Sequence, residues 1–341
     1  MIETHRAVVI SGPGRAALAD RPTPSPRRGE ALVRVAWQGI CGTDLEILDG
    51  TLGYYKTGFA RYPIVPGHEL SGRIAAVGAG VKDLKPGQPV VVECIQGCGR
   101  CVPCRAGNAI GCAKRRELGV VGLDGGYGEY VRVPARFVHR VPAKVSLRDA
   151  CLAEPLAVVC KGLSRLAQAW GPGAKRRRVA VIGGGTIGAL NAQVLAARGH
   201  RPVLFDRSAV RRKAAARSGL ETRLSLRGLA KFDALVEATG NPEALHAAID
   251  GARTGAALLL LGFPYDERGF SFEKLVGYDK TLVGSVGSRP EDFEEALKLL
   301  PSIDASPFLS AVFGLEEYEK AWAAARAKGC LKAVLKMDPA A

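Results

Sequence analysis

Four cysteines crowd together at Cys98-Gly-Arg-Cys101-Val-Pro-Cys104 and Cys112. Two steps of two intervening residues and one of seven let a tight loop wrap four thiolates around one tetrahedral zinc ion. The chain has nine cysteines in all. Clustered cysteines in a chain that starts without an export leader point to metal rather than disulfides. Cys94, just ahead, reads as a strand-end thiol that could stand in for Cys98 if the loop folds differently. A redox dithiol and an iron–sulfur site are the alternatives, and nothing else in the sequence suggests electron transfer.

A second constellation carries phosphate-binding chemistry. The apolar run Val179-Ala180-Val181-Ile182 leads into Gly183-Gly184-Gly185-Thr186-Ile187-Gly188 and then a helical pattern. Gly183 suits the tight turn, Gly185 the close approach of a pyrophosphate, and Gly188 the packing of helix on strand. Free N–H groups and the dipole at the helix start favour the phosphates. The next apolar strand, Pro202–Phe205, ends at Asp206, about twenty residues past the glycines. A carboxylate there binds both ribose hydroxyls and repels a 2′-phosphate, which favours NAD over NADP. Arg207 and Arg211 work against that preference, because either side chain can turn toward a 2′-phosphate.

Three more segments carry potential metal ligands: Cys41-Gly42-Thr43-Asp44, Gly67-His68-Glu69 and Glu154-Pro155-Leu156. Singly each is ordinary, since a lone cysteine after an apolar strand is usually core. Beside a nicotinamide fold they have a use. Removing hydride from an alcohol requires loss of the hydroxyl proton, and zinc with an open position makes a bound oxygen far more acidic.

The elements that must hold these residues fall into two styles. Up to about residue 150 short apolar runs recur at 31–37, 71–77, 89–93, 128–133 and 137–141, punctuated by Gly and Pro. A long helix is expected over Cys151–Trp170, interrupted near its start by Pro155. After Gly171-Pro172-Gly173, strands (178–182, 201–205, 234–237, 256–261) alternate with helices (186–198, 209–218, 242–251), the pattern of a parallel sheet with crossover helices. Helices at 290–300 and 315–327 and a strand at 332–337 close the chain. No internal repeat is present.

Composition sets the outer limits. The chain has 341 residues, 47% hydrophobic and 24% charged, which suits two soluble domains. No apolar run reaches the roughly 18 residues of a membrane span, and a cytoplasmic location is expected. The net charge is +15, but the basic clusters Lys114–Arg116, Lys175–Arg178 and Arg211–Lys213 are scattered and lack interleaved aromatics. A solvated Arg-rich surface, or an anionic cofactor or substrate, explains them better than nucleic acid.

Taken together, these motifs resemble the zinc-dependent medium-chain dehydrogenase/reductase superfamily, in its sorbitol, glucose and threonine dehydrogenase branch. The resemblance spans the whole length. It rests on residues 39–44, Pro66–Glu69, the cysteine lobe, Glu154–Leu156, the glycine motif and the closing strand around Lys332–Leu335. It implies an α/β protein with a GroES-like β-rich catalytic domain at 1–152 that carries a structural-zinc lobe at 94–113. A Rossmann cofactor domain is expected at 153–288, and a C-terminal return at 289–341 completes the first domain.

The resemblance also implies roles. Cys41 and His68 would bind a catalytic zinc, with Glu69 and Glu154 as exchangeable or alternative carboxylate ligands. Cys98, Cys101, Cys104 and Cys112 would bind a second zinc. Thr43 would accept the substrate proton, and Asp44 would fix the far nitrogen of His68. Glu46 stands where many members carry a relay histidine; it relays the proton, reads a substrate hydroxyl or is solvated. Thr239 and Gly240 are expected near the adenosine, Val283 and Ser285 near the nicotinamide, and Lys332 near the pyrophosphate. Glu154 replaces the cysteine of the ethanol-type branch, which argues for a polar substrate. The segment 50–61, with Tyr54, Tyr55, Lys56 and Arg61, suits a hydroxyl-rich or anionic molecule if it borders the cleft. The expected reaction is reversible oxidation of a secondary hydroxyl on a polyol, sugar, amino alcohol or aminocyclitol, by a homodimer or homotetramer. A zinc-free reductase and a non-catalytic member of the superfamily are the alternatives.

Overall fold

The computed structural model describes residues 3–170, 176–262 and 271–337. The Gly171-Pro172-Gly173 break and Lys175 of one basic cluster lie outside them. The chain forms two compact units. One comprises Met1–Ala157, Gly287–Pro301 and Phe308–Ala341; the other comprises Val158–Val286 and Ser302–Pro307.

The first unit is built on a mostly antiparallel sheet. Its strands run in the order Val138–Arg140, Pro89–Val92, Glu69–Val77, Glu30–Gly39, Ala333–Lys336 and Ala311–Gly314, with Tyr130–Pro134 also paired to Glu30–Gly39. Alternating apolar residues of these strands form a core around Val33, Val35, Leu70, Ile74, Val90, Tyr127 and Leu335, each at most 2% exposed. The C-terminal strand pairs antiparallel with the end of Glu30–Gly39, Val334 opposite Gly39, and Ile40 N–H donates to Ala333 O at 2.9 Å. This pairing brings residue 332 beside the segment that leads into Cys41.

The expected helix runs from Ala153 to Ala169, with Pro155 in its first turn instead of breaking it. First-turn N–H groups have no partner inside a helix, so a proline there removes nothing.

The second unit holds a six-stranded parallel sheet in the order Glu221–Arg223, Arg201–Phe205, Arg178–Ile182, Ala234–Glu237, Ala257–Leu260 and Thr281–Gly284. Near-continuous apolar strands such as Val179–Ile182 are what a sheet covered on both faces requires. The order reverses around Arg178–Ile182, and the crevice at such a reversal is where parallel sheets bind ligands. Two strands, Glu221–Arg223 and Thr281–Gly284, are too short to be read from the sequence.

Gly183 has φ +100°, a conformation costly for any residue with a Cβ. A Cβ added at Gly188 would overlap the Gly183 carbonyl, and both atoms are backbone or nearly so. Gly188→Ala is therefore expected to lower unfolding free energy by about 3 kcal/mol, an overpacking cost, and to weaken NADH binding. Urea denaturation and NADH fluorescence titration read the two effects. An unchanged midpoint would mean that the helix can lift off the strand without penalty.

Candidate active site and metal centres

The ligand-type atoms of Cys41, His68 and Glu69 lie within 4.8 Å of one another. Cys41 precedes the helix Gly42–Asp49 as its N-cap. Gly67 (φ +99°) carries the chain into His68, and the turn is laced to the segment 125–127: Gly126 N–H donates to Gly67 O at 2.8 Å and Tyr127 N–H to Pro66 O at 2.9 Å. His68 and Glu69 are 5% and 2% exposed.

Asp44 is fully buried. Its Oδ2 accepts from Cys41 N at 2.9 Å and from the Tyr127 hydroxyl at 3.1 Å. Its Oδ1 stands 3.7 Å from His68 Nδ1, and neither of those two atoms has a hydrogen-bond partner among the described residues. A small tilt of the ring would make that bond, freeing Nε2 to point at an ion. Thr43 Oγ1 is 3.7 Å from Cys41 Sγ. Glu154, in the first turn of the helix Ala153–Ala169, is 8% exposed. Burial pushes its carboxyl up to about 7, with His68 pulling down and Glu69 adding to the rise. Burial works against protonating His68, yet Cys41, Asp44 and Glu154 outweigh it and hold its pKa well above the ordinary value. A thiol, an imidazole and a carboxylate within 4.8 Å of one another form a donor set that suits zinc, with Asp44 beside the far nitrogen of His68 and Glu154 outside the group of three.

Lys332, expected near a pyrophosphate, has a buried ammonium, 5% exposed. It donates to both oxygens of Glu69, at 2.6 Å to Oε1, and to Ile40 O at 3.0 Å. Burial works against the charge, but Glu69 and Cys41 more than offset it, and the pKa is raised. Glu46, on the exposed side of the Gly42–Asp49 helix, is half-buried; its carbonyl accepts from Thr51 N–H at 3.0 Å. In the segment 50–61, Tyr54 Oη accepts from Arg115 at 3.1 Å and Tyr55 donates to Val120 O at 3.2 Å. Lys56 and Arg61 are exposed. The two tyrosines thus have structural partners of their own.

The sulfurs of Cys98, Cys101, Cys104 and Cys112 also lie within 4.8 Å of one another. Zinc–sulfur bonds of about 2.3 Å in a tetrahedron space the sulfurs about 3.8 Å apart, inside that limit. Backbone N–H groups of Arg100 and Cys101 bring the Cys98 thiol down to about 6, the anionic form a metal requires. Gly97 passes so close to Cys104 Sγ that a Cβ there would stand 2.6 Å from it. Cys94 is buried with its thiol toward Leu118 O at 3.9 Å, outside the group of four.

In the second unit, a cleft of about 480 Å³ is lined by Gly183, Gly185, Asp206, Arg207, Arg211 and Thr239 among others. Asp206 is held before any ligand arrives. Its Oδ2 accepts from Gly184 N–H and its Oδ1 from Ser208 N–H, both at 2.6 Å. Arg211 Nη1 is 3.8 Å from Asp206 Oδ2, and its Nε is buried without a partner among the described residues. Thr186 and Ile187 open the helix Thr186–Ala197 behind Gly185. Thr239 and Gly240 sit on a turn organised by Glu237, which accepts from Thr239 N–H at 2.7 Å and Gly240 N–H at 3.4 Å. Val283 lies buried in the strand Thr281–Gly284, and the Ser285 hydroxyl just after it is buried with no partner among the described residues. Sequence reasoning passed over Glu237 and Tyr127. A buried strand-end glutamate before Ala-Thr-Gly was a usable signal for the first, and nothing local marked the second.

Residues 27–143 match the alcohol dehydrogenase GroES-like domain family, and residues 148–337 match the glucose dehydrogenase C-terminus family. The chain is 31% identical to an L-galactonate-5-dehydrogenase of Escherichia coli K12, over 88% of each chain. A short chain alcohol dehydrogenase of E. coli CFT073, solved with NADH, superposes with a TM-score of 0.87 at 26% identity, over 98% of this chain and 100% of that one. A galactitol-1-phosphate dehydrogenase structure from E. coli gives 0.84 at 28%, over 97% and 99%. The chain thus belongs to the zinc-dependent medium-chain dehydrogenase/reductase superfamily, as an oxidoreductase acting on CH–OH groups with a nicotinamide cofactor.

Proposed function

We propose that this enzyme oxidises a secondary hydroxyl of a small polyhydroxylated or amino-alcohol substrate to the ketone, or to the lactone for a sugar, with NAD, and does so reversibly. The observation that carries the reading is the convergence of Cys41, His68 and Glu69 within 4.8 Å, with buried Glu154 supplying the carboxylate of a polar-substrate site. Two zinc ions per chain fit the donor sets, one held by Cys41, His68 and either Glu69 or Glu154, the other by the four lobe cysteines. When bound, the catalytic ion polarises the hydroxyl oxygen and the nicotinamide takes up the hydride.

The chain's own residues do the rest. Thr43 receives the hydroxyl proton at Oγ1, Asp44 orients His68, and Lys332 fixes the direction of the Glu69 carboxylate. Asp206 binds the adenosine ribose, its oxygens already turned by Gly184 and Ser208. The L-galactonate and galactitol-1-phosphate relatives support a polyhydroxylated substrate, and their acid groups agree with the net charge of +15. The proposed setting is the cytoplasm, as a homo-oligomer with neither nucleic acid nor membrane as partner. Among the described residues no helix is long and apolar enough to cross a membrane.

The test is NADH formation across sorbitol, other polyols, sugar acids, aldoses, threonine and aminocyclitols, with NADP in parallel and a chelator-treated control. Chelator-sensitive turnover on one class is expected. Silence across the panel, from protein carrying two zincs, would move the substrate outside these classes or the function to binding. Asp206→Ser is expected to shift the ratio of NAD to NADP turnover about 30- to 100-fold toward NADP. Hydrogen bonds to a charged group are worth about 1.5–3 kcal/mol, and Arg211 stands ready beside the vacated carboxylate. An unchanged ratio would remove Asp206 as the selector.

A further inference from the structure

A second cleft in the first unit, of about 340 Å³, takes no part in the chemistry above. Four separate strands or strand edges send cationic or titratable side chains into its lining: His5, Arg21, Arg116 and Arg132. Asp124 is the one carboxylate among the lining residues, and it is already engaged. Its Oδ2 lies 3.3 Å from Arg21 and its Oδ1 accepts from Val65 N–H at 3.0 Å. Arg132 meets Glu30 at 3.2 Å. Arg116 is exposed and has no carboxylate partner among the described residues. His5 is 7% exposed, and its Nδ1 has no hydrogen-bond partner among the described residues. Buried polar atoms without partners are rare in native proteins and ask for a ligand or a water.

Arg21 and Arg132 answer the carboxylates of Asp124 and Glu30, and Arg116 adds a positive charge that no carboxylate among the described residues balances, which leaves the cleft electropositive. Guanidinium groups match phosphate and carboxylate oxygens two at a time. From this geometry we infer that the cleft binds a small phosphate-bearing molecule, and that its occupancy is felt at the His68 turn. The linkage runs through Asp124 and its neighbours. Asp124 holds Val65 N–H, Gly125 N–H donates to Val65 O at 2.8 Å, and Gly126 and Tyr127 bond Gly67 and Pro66. An anion that draws Arg21 toward itself loosens Asp124 and shifts the strap leading into His68. The volume exceeds that of a bare phosphate, so a phosphorylated metabolite and inorganic phosphate share the chemistry.

Calorimetric titration with inorganic phosphate at constant ionic strength tests the site, with the protein saturated by NADH so that the dinucleotide phosphates occupy their own cleft. One saturable site per chain is expected. Arg116→Ala and Arg21→Ala should each weaken it at least tenfold, as loss of a charge-assisted contact predicts. Lys85→Ala, outside the cleft, should leave it unchanged. Arg116 is exposed, so its variant is expected to keep wild-type unfolding midpoints and activity. Glycerol phosphate in a parallel titration separates the sources: tighter binding of the ester assigns the cleft to phosphorylated metabolites, and equal binding to free phosphate. Hydrogen exchange at the Val65 and Gly67 amides should change on phosphate addition in the wild type and not in Arg116→Ala. Absence of saturable binding, or wild-type affinity in both arginine variants, overturns the site. Binding that leaves those amides unchanged overturns the linkage.

Discussion

Lys332→Met is expected to destabilise the protein by about 3–5 kcal/mol, the cost of leaving one member of a buried ion pair without its partner. Lys332 and Glu69 are 5% and 2% exposed, and the ammonium touches both carboxylate oxygens and Ile40 O. Removing the ammonium strands a carboxylate that water cannot reach. A Cβ on neighbouring Gly39 would meet the Glu69 carboxylate, so the carboxylate has no room to swing outward on that side. It must then be protonated or turn toward the Cys41 and His68 side. The double variant Lys332→Met/Glu69→Gln removes both charges at nearly constant volume and should recover most of the loss. Urea denaturation of the four members of this cycle measures the coupling. A single-variant loss below about 1 kcal/mol, the range of an exposed pair, would mean that water or another cation reaches Glu69 in solution. Metal analysis of the same proteins adds a second readout. If Lys332 keeps Glu69 from competing for the ion, Lys332→Met retains zinc more tightly.

His68→Ala should abolish turnover and remove one of two metal equivalents, without unfolding the chain. The ion's polarising effect is worth several kcal/mol, so a loss on the order of 10³-fold or more in kcat/KM is expected. On the proposed two-zinc reading the ion of the lobe cysteines does not depend on this ring, so zinc content should fall from two per chain to one. Asp44→Asn is the graded companion. It keeps the shape of the side chain and weakens its grip on His68 Nδ1, 3.7 Å away, with metal affinity expected to fall about 10- to 100-fold. Tyr127 donates to the same carboxylate at 3.1 Å, so Tyr127→Phe should move affinity in the same direction by less. His68→Ala protein that keeps both zincs and its activity would remove this cluster from the chemistry.

The features legible in the sequence are those built by contacts a few residues apart. Two short Cys steps and a longer one confine four sulfurs to one loop. An apolar strand followed by Gly183-Gly184-Gly185 and Gly188 dictates a strand, a tight turn and a helix, because backbone sterics leave few other paths. Asp206 falls at the end of the next strand because the strand itself is short and apolar. Pro155 shows the limit of that reasoning. Taken as an interruption, it sits in a first turn where its missing N–H costs nothing.

What only the tertiary structure decided involves partners far apart in the chain. Lys332 and Glu69 are 263 residues apart, and they meet because the C-terminal strand pairs beside Gly39 rather than at another edge of the sheet. Tyr127 reaches Asp44 across 83 residues because the segment 125–127 is hydrogen-bonded along the strap that precedes His68. The short strands Glu221–Arg223 and Thr281–Gly284 are too brief for their own residues to specify, and form where a neighbouring strand offers a hydrogen-bonding edge. Local pattern is set by the geometry of each residue and its near neighbours, which the sequence states directly. Which buried charge finds which partner depends on strand order, and strand order is settled only when the whole sheet assembles.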